Sequence, residues 1–531
     1  MKPLKFPAPG TTLTRRDFLK LAGAAPLAAL AGKKVWASPR PVLTKVETRA
    51  GQPNVIIVVF DAMSARHLSL YGYRRQTSPN LERLAQRSTV YHKHYAAGNF
   101  TTPSTASLFT GVYPWSHRAF SLGGLISRNV QANNLFSQLQ GAYRQTAFTQ
   151  NLFVDALLYQ YEQHLEKHLP LNSFSLSGST FYNRLFQKDA FSGLVGYDRF
   201  LFDRNGERGS FFFAVLDDLA VKLRASLYER KLAGLHPDGL PQLSSTDIFY
   251  LNKAVMDGVM GFLDGSLSQA GSPGMAYIHL MAPHEPYRPT GEFIGRFDDG
   301  WAPPAKEKHR LAPGGPEEEL NERRQSYDEY IANIDAEFGR LLEHLEQRGL
   351  LDESYLMVTS DHGELFERGV AGHNTPLVFE GIIRIPLLVH APGQSQRQDV
   401  HSLTSTVDLL PTLVAIAGGT APEWCEGRAL PGSSGAATAA DERSVFVVEA
   451  KKNPAHAPLR EATVAVVRGD YKLVRYFGYR ALPNKYEFYD LKNDPEELVD
   501  LHPEQRKQSL VQEMKDELEQ KLKEANQVYW E

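Results

Sequence analysis

A continuous apolar run from Val55 to Phe60 leads directly into Asp61. An unbroken run of β-branched and aromatic residues is typical of a strand that is buried on both faces of a parallel sheet. Two similar runs, Tyr277–Leu280 and Tyr355–Thr359, are also followed shortly by polar residues. The chain is therefore predicted to adopt an α/β fold, with a mostly parallel central sheet flanked by helices.

Helical spacing marks the connections of this sheet. Apolar residues recur every three or four positions over one segment: Ile331, Ile334, Phe338, Leu341, Leu342 and Leu345. Gly349 is placed to end that helix, which makes the segment a crossover between two strands. Ile385–Val389 is predicted to be a further strand, and Val407–Ala417 a helix that is interrupted near Pro411.

The length and composition of the chain suit one large domain with an appendage. Its 531 residues are 42% hydrophobic, which is enough for a sizeable core. The main domain is expected over residues 50–420, with an insertion at residues 160–245 that caps the site and in which Phe211–Phe213 pack internally. Residues 430–442, rich in Pro, Gly, Ser and Ala, are predicted to be a linker.

The C-terminal part, residues 443–531, is predicted to be a smaller α+β subdomain. Three short strands are expected at residues 444–448, 463–467 and 471–475. The last helix carries an apolar stripe, for which core packing is favoured over partner binding: Leu510, Met514, Leu518 and Leu522.

The amino terminus resembles a twin-arginine export signal. Arg15 and Arg16 precede an apolar stretch from Leu21 to Gly32, and a small-residue cleavage site lies near Ala37. The apolar stretch is shorter than the roughly 20 residues that span a membrane. We therefore expect residues 1–37 to direct export through the twin-arginine machinery to the periplasm or the cell exterior, without a stable membrane span.

Overall charge and cysteine content exclude several classes of protein. A net charge of -3 gives no basis for nucleic-acid binding, which favours clustered basic surfaces. A small or envelope-associated substrate is the expected partner instead. The single cysteine, Cys425, rules out an intramolecular disulfide framework and is expected to be incidental.

Polar residues after the predicted strands are expected to share one site, because ligands of open α/β sheets bind outside the carboxyl ends of the strands. Asp61 follows the first strand, and Asp361 with His362 follows the third. These residues can supply two carboxylates and one imidazole, a set that suits Mn or Zn better than Ca. The sequence therefore predicts a site for one divalent metal.

Thr101 is the candidate nucleophile. A threonine hydroxyl is a poor nucleophile at neutral pH, and coordination to a divalent cation is one of the few ways to hold it as an alkoxide. Residues Thr102–Phe109 look like the start of a helix, whose free amides would face an anion. Hydroxyl, cation and helix terminus together predict chemistry on a tetrahedral oxyanion.

In combination, these motifs resemble the sulfatase family of the alkaline phosphatase superfamily. The segments that carry the resemblance are Asp61, Tyr71–Tyr73, Ser78–Leu81, Asn99–Pro114, Pro283–Tyr287, Ser360–Glu364, Gly372–His373, Arg468–Lys472 and Tyr489–Pro495. The resemblance implies an alkaline-phosphatase-like fold and a metal bound by four residues: Asp61, Thr101, Asp361 and His362. It also implies that His284 and His373 contact the anionic group of the substrate or protonate its leaving group.

Three positions depart from the sulfatase pattern: Thr101, Thr105 and Ala62. Family members that cleave sulfate carry Cys or Ser at the position of Thr101 and convert it to formylglycine, an aldehyde that threonine cannot give. Thr105 replaces an arginine, and Ala62 replaces an aspartate that binds the metal in many members. These changes resemble the phosphoryl-transfer branch, which includes phosphoglycerol transferases, phosphoethanolamine transferases and phosphodiesterases.

The expected activity is therefore hydrolysis or transfer of an anionic phosphate ester or phosphodiester through Thr101. Two alternatives stay open: a sulfuric ester hydrolase with an unconventional nucleophile, and a non-catalytic protein that binds anions or glycans. Asp335 is expected to be a surface or packing acid of its helix. Other polar residues are expected at the surface or behind the site: Arg66, His67, His92, His94 and His117.

Overall fold

The computed structural model describes residues 51–176, 223, 226–243, 248–267, 272–433, 443–505 and 508–527. Three sequence predictions lie wholly or largely outside these residues: the export signal at 1–37, the central part of the capping insertion with Phe211–Phe213, and the linker beyond residue 433. No helix within the described parts of the chain is both long enough and apolar enough to cross a membrane.

The strands of the described residues are, in chain order, β1 (Asn54–Phe60), β2 (Thr89–Tyr91), β3 (His94–Tyr95), β4 (Arg144–Thr149), β5 (Lys167–His168), β6 (Gly274–Leu280), β7 (Ser354–Ser360), β8 (Phe366–Glu367), β9 (Val370–Ala371), β10 (Leu387–His390), β11 (Gln398–Val400), β12 (Thr404–Ser405), β13 (Ser444–Glu449), β14 (Ala462–Arg468), β15 (Tyr471–Tyr479) and β16 (Leu482–Asp490). Eight of them form the central sheet, in the order β11-β2-β10-β7-β1-β6-β4-β5.

The centre of this sheet is parallel. β1 lies between β6 and β7 and is parallel to both, and β6 is also parallel to β4. The strand predicted at Ile385–Val389 is present as β10 and pairs antiparallel with β7. Every residue of β1 is buried, as its unbroken apolar sequence predicts. The predicted α/β fold with a mostly parallel sheet is thus confirmed.

The α-helices whose bounds both lie within the same residues are α1 (Pro79–Ala85), α2 (Thr101–Thr110), α3 (Pro114–His117), α4 (Arg128–Gln131), α5 (Leu135–Gln138), α6 (Leu152–Tyr159), α7 (Asn252–Leu267), α8 (Glu317–Gln347), α9 (Glu380–Ile383), α10 (Leu409–Ile416), α11 (His502–Gln505) and α12 (Ser509–Gln527). Alternate side chains of β1 point to opposite faces of the sheet. One set packs with α7 and α8, and the other packs with α2, α6 and α10.

The predicted crossover helix is α8, which begins earlier than its apolar stripe. Its first turn carries Glu317–Glu319, whose negative charges favour the amino-terminal end of a helix. The ring of Phe338 packs edge-on against Phe60 of β1, with 5.9 Å between ring centroids. Gly349 adopts φ +69°, the left-handed conformation that follows many helix ends. The helix therefore stops where the sequence predicts.

The predicted interruption at Pro411 is wrong. A 3-10 turn covers Thr406–Asp408, and α10 then runs without a break through Pro411. Pro411 is the third residue of α10, where the missing N–H costs no hydrogen bond within the helix. Proline is therefore tolerated here, and the change of helix type falls before Leu409.

The C-terminal part contains an antiparallel sheet in the order β13-β14-β15-β16. Helix α12 packs against this sheet through buried Met514, Leu518 and Leu522, while Leu510 is only partly buried. The predicted C-terminal strand subdomain and the packing role of the stripe are confirmed. The opposite face of the sheet packs on residues of the main fold, among them Leu377 and Ile382. The C-terminal sheet therefore contacts the segment that follows His373.

Asp335 is a packing acid. Its carboxylate accepts hydrogen bonds from the backbone N–H groups of Asn80 and Leu81, and thereby satisfies the free end of α1. The histidines that were expected at the surface or behind the site make other contacts. His94 and His117 are fully buried and contact Thr404 and Ser107, respectively.

Arg66, His67 and His92 each pair with an acidic residue, and Cys425 is partly buried. The Nδ1 atom of His67 lies 2.7 Å from the buried carboxylate of Asp328. His92 binds Asp399 at the surface, and Arg66 forms an ion pair with Glu496. Burial raises the pKa of the Cys425 thiol to about 12, so this thiol stays protonated and unreactive.

Candidate active site

The two acids of the predicted metal site meet at the carboxyl edge of the central sheet. Asp61 follows β1 and Asp361 follows β7, and both side chains are buried. The parallel register places Val59 beside His279 of β6, so this imidazole reaches the same edge. Residues about 300 positions apart in the chain are therefore brought together by strand order alone.

Backbone hydrogen bonds orient Asp361. Its Oδ1 atom accepts from the N–H of Ala62 at 3.1 Å and from its neighbour His362 at 2.9 Å. The hydroxyl of Ser360 donates to the carbonyl of Phe60 and fixes the adjacent strand end. Oδ1 is thus occupied, and Oδ2 is the oxygen left for the site.

Thr101 is the first residue of α2, one position earlier than the helix start predicted from the sequence. Its Oγ1 atom lies 3.3 Å from Nε2 of His362. The amide of Asn151 donates to this hydroxyl at 3.4 Å and to Oδ2 of Asp61 at 2.5 Å. The candidate nucleophile is therefore held between an imidazole and an amide, beside a buried carboxylate.

The hydrogen bond at the other ring nitrogen fixes the tautomer of His362. Its Nδ1 atom lies 2.9 Å from the carbonyl oxygen of Gly363, which can only accept, so Nδ1 carries the proton. Nε2 then presents its lone pair to Thr101. The same Nε2 atom lies 3.5 Å from Oδ1 of Asp61 and 3.6 Å from Oδ2 of Asp361.

The remaining predicted residues stand beside this group. The rings of His284 and His373 are 4.8 Å apart, and His373 lies 4.3 Å from His362 between ring centroids. The carboxylate of Glu364 contacts Nδ1 of His373 at 2.6 Å. The structure thus brings together all six residues that the sequence selects: Asp61, Thr101, His284, Asp361, His362 and His373.

The donor atoms fit a divalent cation. Ligand atoms of Asp61, His279 and Asp361 lie within 4.8 Å of one another. Each of these three residues has one buried atom without a hydrogen-bond partner: Oδ1 of Asp61, Oδ2 of Asp361 and Nε2 of His279. Unpaired buried carboxylates are costly unless a cation neutralises them. The three residues therefore form a candidate metal site.

The spacing of these atoms supports the same conclusion. Ligands about 2.1 Å from a tetrahedral ion stand about 3.4 Å from each other. Nε2 of His279 is 3.4 Å from Asp61 and 3.8 Å from Asp361, and the distances from His362 are similar. Both imidazoles therefore stand at ligand spacing from the two acids.

Sequence reasoning missed His279 and Asn151 as site residues. His279 lies inside a predicted apolar strand, and the available indication was a lone histidine one residue before the end of that strand. Asn151 belongs to no motif. It follows β4 and caps α6, since its Oδ1 accepts the N–H of Phe153 at 2.8 Å. Only the position of β4 beside β6 brings Asn151 to Thr101.

Charge and burial give the imidazoles different protonation states. Burial would raise the pKa of the Asp61 carboxyl, but three neighbouring imidazoles, chiefly that of His284, hold it well below its usual range. Burial would lower the pKa of His284, but the charges of Asp61 and Glu364 raise it. Burial lowers the pKa of His373 to about 3 and also lowers that of His362. His284 is therefore the imidazole best placed to hold a proton.

Comparison with known proteins agrees with this geometry. The model of the sulfatase family matches residues 53–419, more than half of the chain. The chain belongs to the sulfatase family. A second model, for the C-terminal part of N-sulphoglucosamine sulphohydrolase, matches residues 373–524. The resemblance proposed from the motifs is confirmed, and this sulfatase-family protein is a hydrolase that acts on ester bonds.

Relatives of this sulfatase-family protein are similar over most of its length. It is 22% identical to the choline-sulfatase of Rhizobium meliloti over 474 residues, 85% of this chain and 82% of that protein. The phosphonate monoester hydrolase of Agrobacterium radiobacter has a TM-score of 0.63 and 19% identity, covering 89% of this chain and 95% of that one. The structure of another protein, in complex with its substrate D-glucosamine-2-N,6-O-disulfate, has a TM-score of 0.62 and 18% identity. The match covers 89% of this chain and 98% of that one. These structures show the shared fold.

Replacing His279 by glutamine is expected to weaken Mn²⁺ and Zn²⁺ binding at least about tenfold, because even residues that only support metal ligands contribute about 10- to 100-fold to affinity. Calorimetry on the metal-free protein measures the change. His94→Gln is the matched control, since His94 is an equally buried imidazole that binds Thr404. Unchanged affinity in His279→Gln, with a loss in His362→Gln, would assign the imidazole ligand to His362.

Proposed function

We propose that this protein is an exported, divalent-metal-dependent enzyme that uses Thr101 to attack a phosphate ester or phosphodiester. The position of the Thr101 hydroxyl carries the proposal. It stands at the amino-terminal end of α2, 3.3 Å from Nε2 of His362 and beside the carboxylates of the candidate metal site. Export rests on the predicted signal at residues 1–37.

The identity of the nucleophile favours phosphate over sulfate. By the family resemblance, sulfate cleavage uses a formylglycine hydrate that expels sulfate by collapsing to the aldehyde, and Thr101 has no such route. A phosphorylated threonine can instead be relieved by in-line attack of water or an alcohol at phosphorus. Thr105, at the position of the family's arginine, is fully buried. The similarity to a phosphonate monoester hydrolase also supports phosphorus chemistry.

The metal site would be formed by Asp61, Asp361 and the imidazoles of His279 and His362. A divalent cation there, with Mn or Zn favoured over Ca, would supply positive charge that favours the ionised hydroxyl and neutralises the anion. The amide of Asn151 donates to the Thr101 hydroxyl and holds it in place. The free backbone amides of α2 would face the anionic oxygens.

His284 and His373 would act on the outer part of the substrate. The contact between Nδ1 of His373 and Glu364 leaves Nε2 for the substrate. His284, whose pKa is raised by nearby carboxylates, can donate a proton to the leaving oxygen. These two imidazoles thus divide anion binding and leaving-group protonation between them.

A paired assay of the purified protein tests the proposal. We expect kcat/KM for bis(4-nitrophenyl) phosphate to exceed that for 4-nitrophenyl sulfate at least tenfold, with Mn²⁺ or Zn²⁺ present. EDTA should remove both activities, and re-addition of the metal should restore them. A clear preference for the sulfate ester would overturn the assignment to phosphate chemistry.

A sulfuric ester hydrolase with an unconventional nucleophile is the second candidate. The similarity to a choline-sulfatase and to a structure bound to a disulfated glucosamine favours it. The non-catalytic alternative, a protein that only binds anions or glycans, does not agree with membership of a family of ester hydrolases.

A further inference from the structure

Lys451 lies at the border between the C-terminal sheet and the active site. It follows β13 by two residues, and its backbone N–H donates to Glu449 at 3.1 Å. β13 packs on the segment that includes Leu377 and Ile382, just after His373. The C-terminal subdomain contributes none of the active-site residues described above. It nevertheless brings a cation, the Lys451 ammonium, to the edge of the site.

Two contacts hold the Lys451 ammonium in place. Nζ lies 4.4 Å from the ring centroid of Phe100, a cation–π contact. Nζ also donates to Oδ1 of Asn374 at 2.7 Å. Phe100 precedes Thr101, and Asn374 follows His373 in the chain. The cation is thus tied to the neighbours of two active-site residues.

The order of these residues runs from solvent to the buried centre. Asn374 is exposed and Lys451 is half-buried, whereas the side chain of His373 is 12% exposed. The ring of His373 in turn lies 4.3 Å from the fully buried His362. Lys451 therefore stands on the outer side of His373, where the part of a substrate beyond the reacting group would lie.

We propose that Lys451 binds a second anionic group of the substrate, carried on the organic part outside the ester that reacts. The substrate class is then an anionic ester whose alcohol portion has its own carboxylate, phosphate or sulfate. The inference rests on the proposed function of the same site. An ammonium with three donors, of which Asn374 takes one, can donate to such an oxygen, and Asn374 itself can add an amide N–H.

Binding of non-reacting probes tests this subsite without turnover. Phenylphosphonate carries only the reacting type of anion, whereas 3- and 4-phosphonobenzoate add a carboxylate at two distances. We expect the Mn²⁺-loaded wild type to bind at least one phosphonobenzoate about tenfold more tightly than phenylphosphonate by calorimetry. A gain in affinity of this size is expected from one charged hydrogen bond at a half-exposed site. Lys451→Met should remove this preference and leave phenylphosphonate unchanged.

Lys452→Met is the matched control. Lys452 is adjacent, its side chain is 75% exposed, and it pairs with Glu461, so its removal deletes the same charge without the proposed contact. Lys451→Arg should keep part of the preference, and melting curves verify the fold. If Lys451→Met is poorly folded, Lys451→Gln, which keeps a polar end group, takes its place.

Each outcome of this binding experiment either supports or overturns the proposal. An equal loss of affinity for all three probes would show that Lys451 binds the reacting anion and would overturn the proposal, as would an unchanged preference in Lys451→Met. A wild type that binds all three probes equally would refute the subsite alone. A wild type that binds none of them would refute both the subsite and the proposed phosphorus chemistry.

Discussion

Replacing Thr101 by alanine is expected to reduce kcat on bis(4-nitrophenyl) phosphate at least about a thousandfold, because removal of an attacking group costs at least this much in comparable enzymes. Metal content and melting temperature should change little. The hydroxyl contributes only two long hydrogen bonds, to His362 and Asn151, and a single such bond is worth about 1 kcal/mol. Steady-state kinetics, metal analysis and thermal unfolding measure the three effects.

Two neighbouring substitutions separate chemistry from packing at Thr101. Thr101→Ser keeps a hydroxyl at the same atom and should retain measurable turnover. Thr102→Ala removes the adjacent hydroxyl, which donates to the carbonyl of Leu122 at 2.7 Å, and should leave kcat within about threefold of wild type. Substantial activity in Thr101→Ala would exclude this residue as the nucleophile.

Replacing Asp361 by asparagine is expected to weaken Mn²⁺ or Zn²⁺ binding more than about a hundredfold and to abolish turnover. Asparagine keeps an oxygen that can accept the N–H groups of Ala62 and His362, as Oδ1 does now. It replaces Oδ2, the atom nearest the imidazoles of His279 and His362, with a neutral amide. The loss is therefore one of charge and ligand, not of shape.

The stability of the metal-free Asp361→Asn protein distinguishes a metal ligand from a structural acid. Two buried carboxylates without a cation are costly, so the metal-free variant should melt no lower than the metal-free wild type. Asp335→Asn is the matched control, since Asp335 is an equally buried acid that caps α1. It should lower stability and leave metal affinity intact. Full metal affinity in Asp361→Asn would contradict the assigned site.

The sequence was sufficient to predict the centre of the sheet and the six residues that meet there. β1 could be predicted because its burial on both faces leaves an unbroken apolar run, and Asp61 because it ends that run. His279 could not be assigned because its role depends on parallel register with β1, which is not a local property. Asn151 depends similarly on the place of β4 beside β6.

One local prediction was wrong and one strand was not predicted, because both features depend on residues outside the local sequence pattern. Pro411 looked like a break, but its effect depends on its distance from the start of α10, which the sequence pattern places poorly. β16 was not predicted, since several residues in its first half are exposed or polar, Pro483–Lys485 among them, and hide the alternation that marks a strand. Pairing with the long partner β15 determines its conformation.

The position of β1 at the centre of the sheet also determines when the sheet can form. Val55 pairs with Met275 and with Tyr355, so both partners of β1 are synthesised more than 200 residues later. At ~5–20 residues per second, the first partner follows after roughly 11 to 44 s. Such non-local pairing slows folding. During translation, the fully buried strand β1 therefore waits unpaired outside the ribosome, where a chaperone that recognises extended apolar segments would find it.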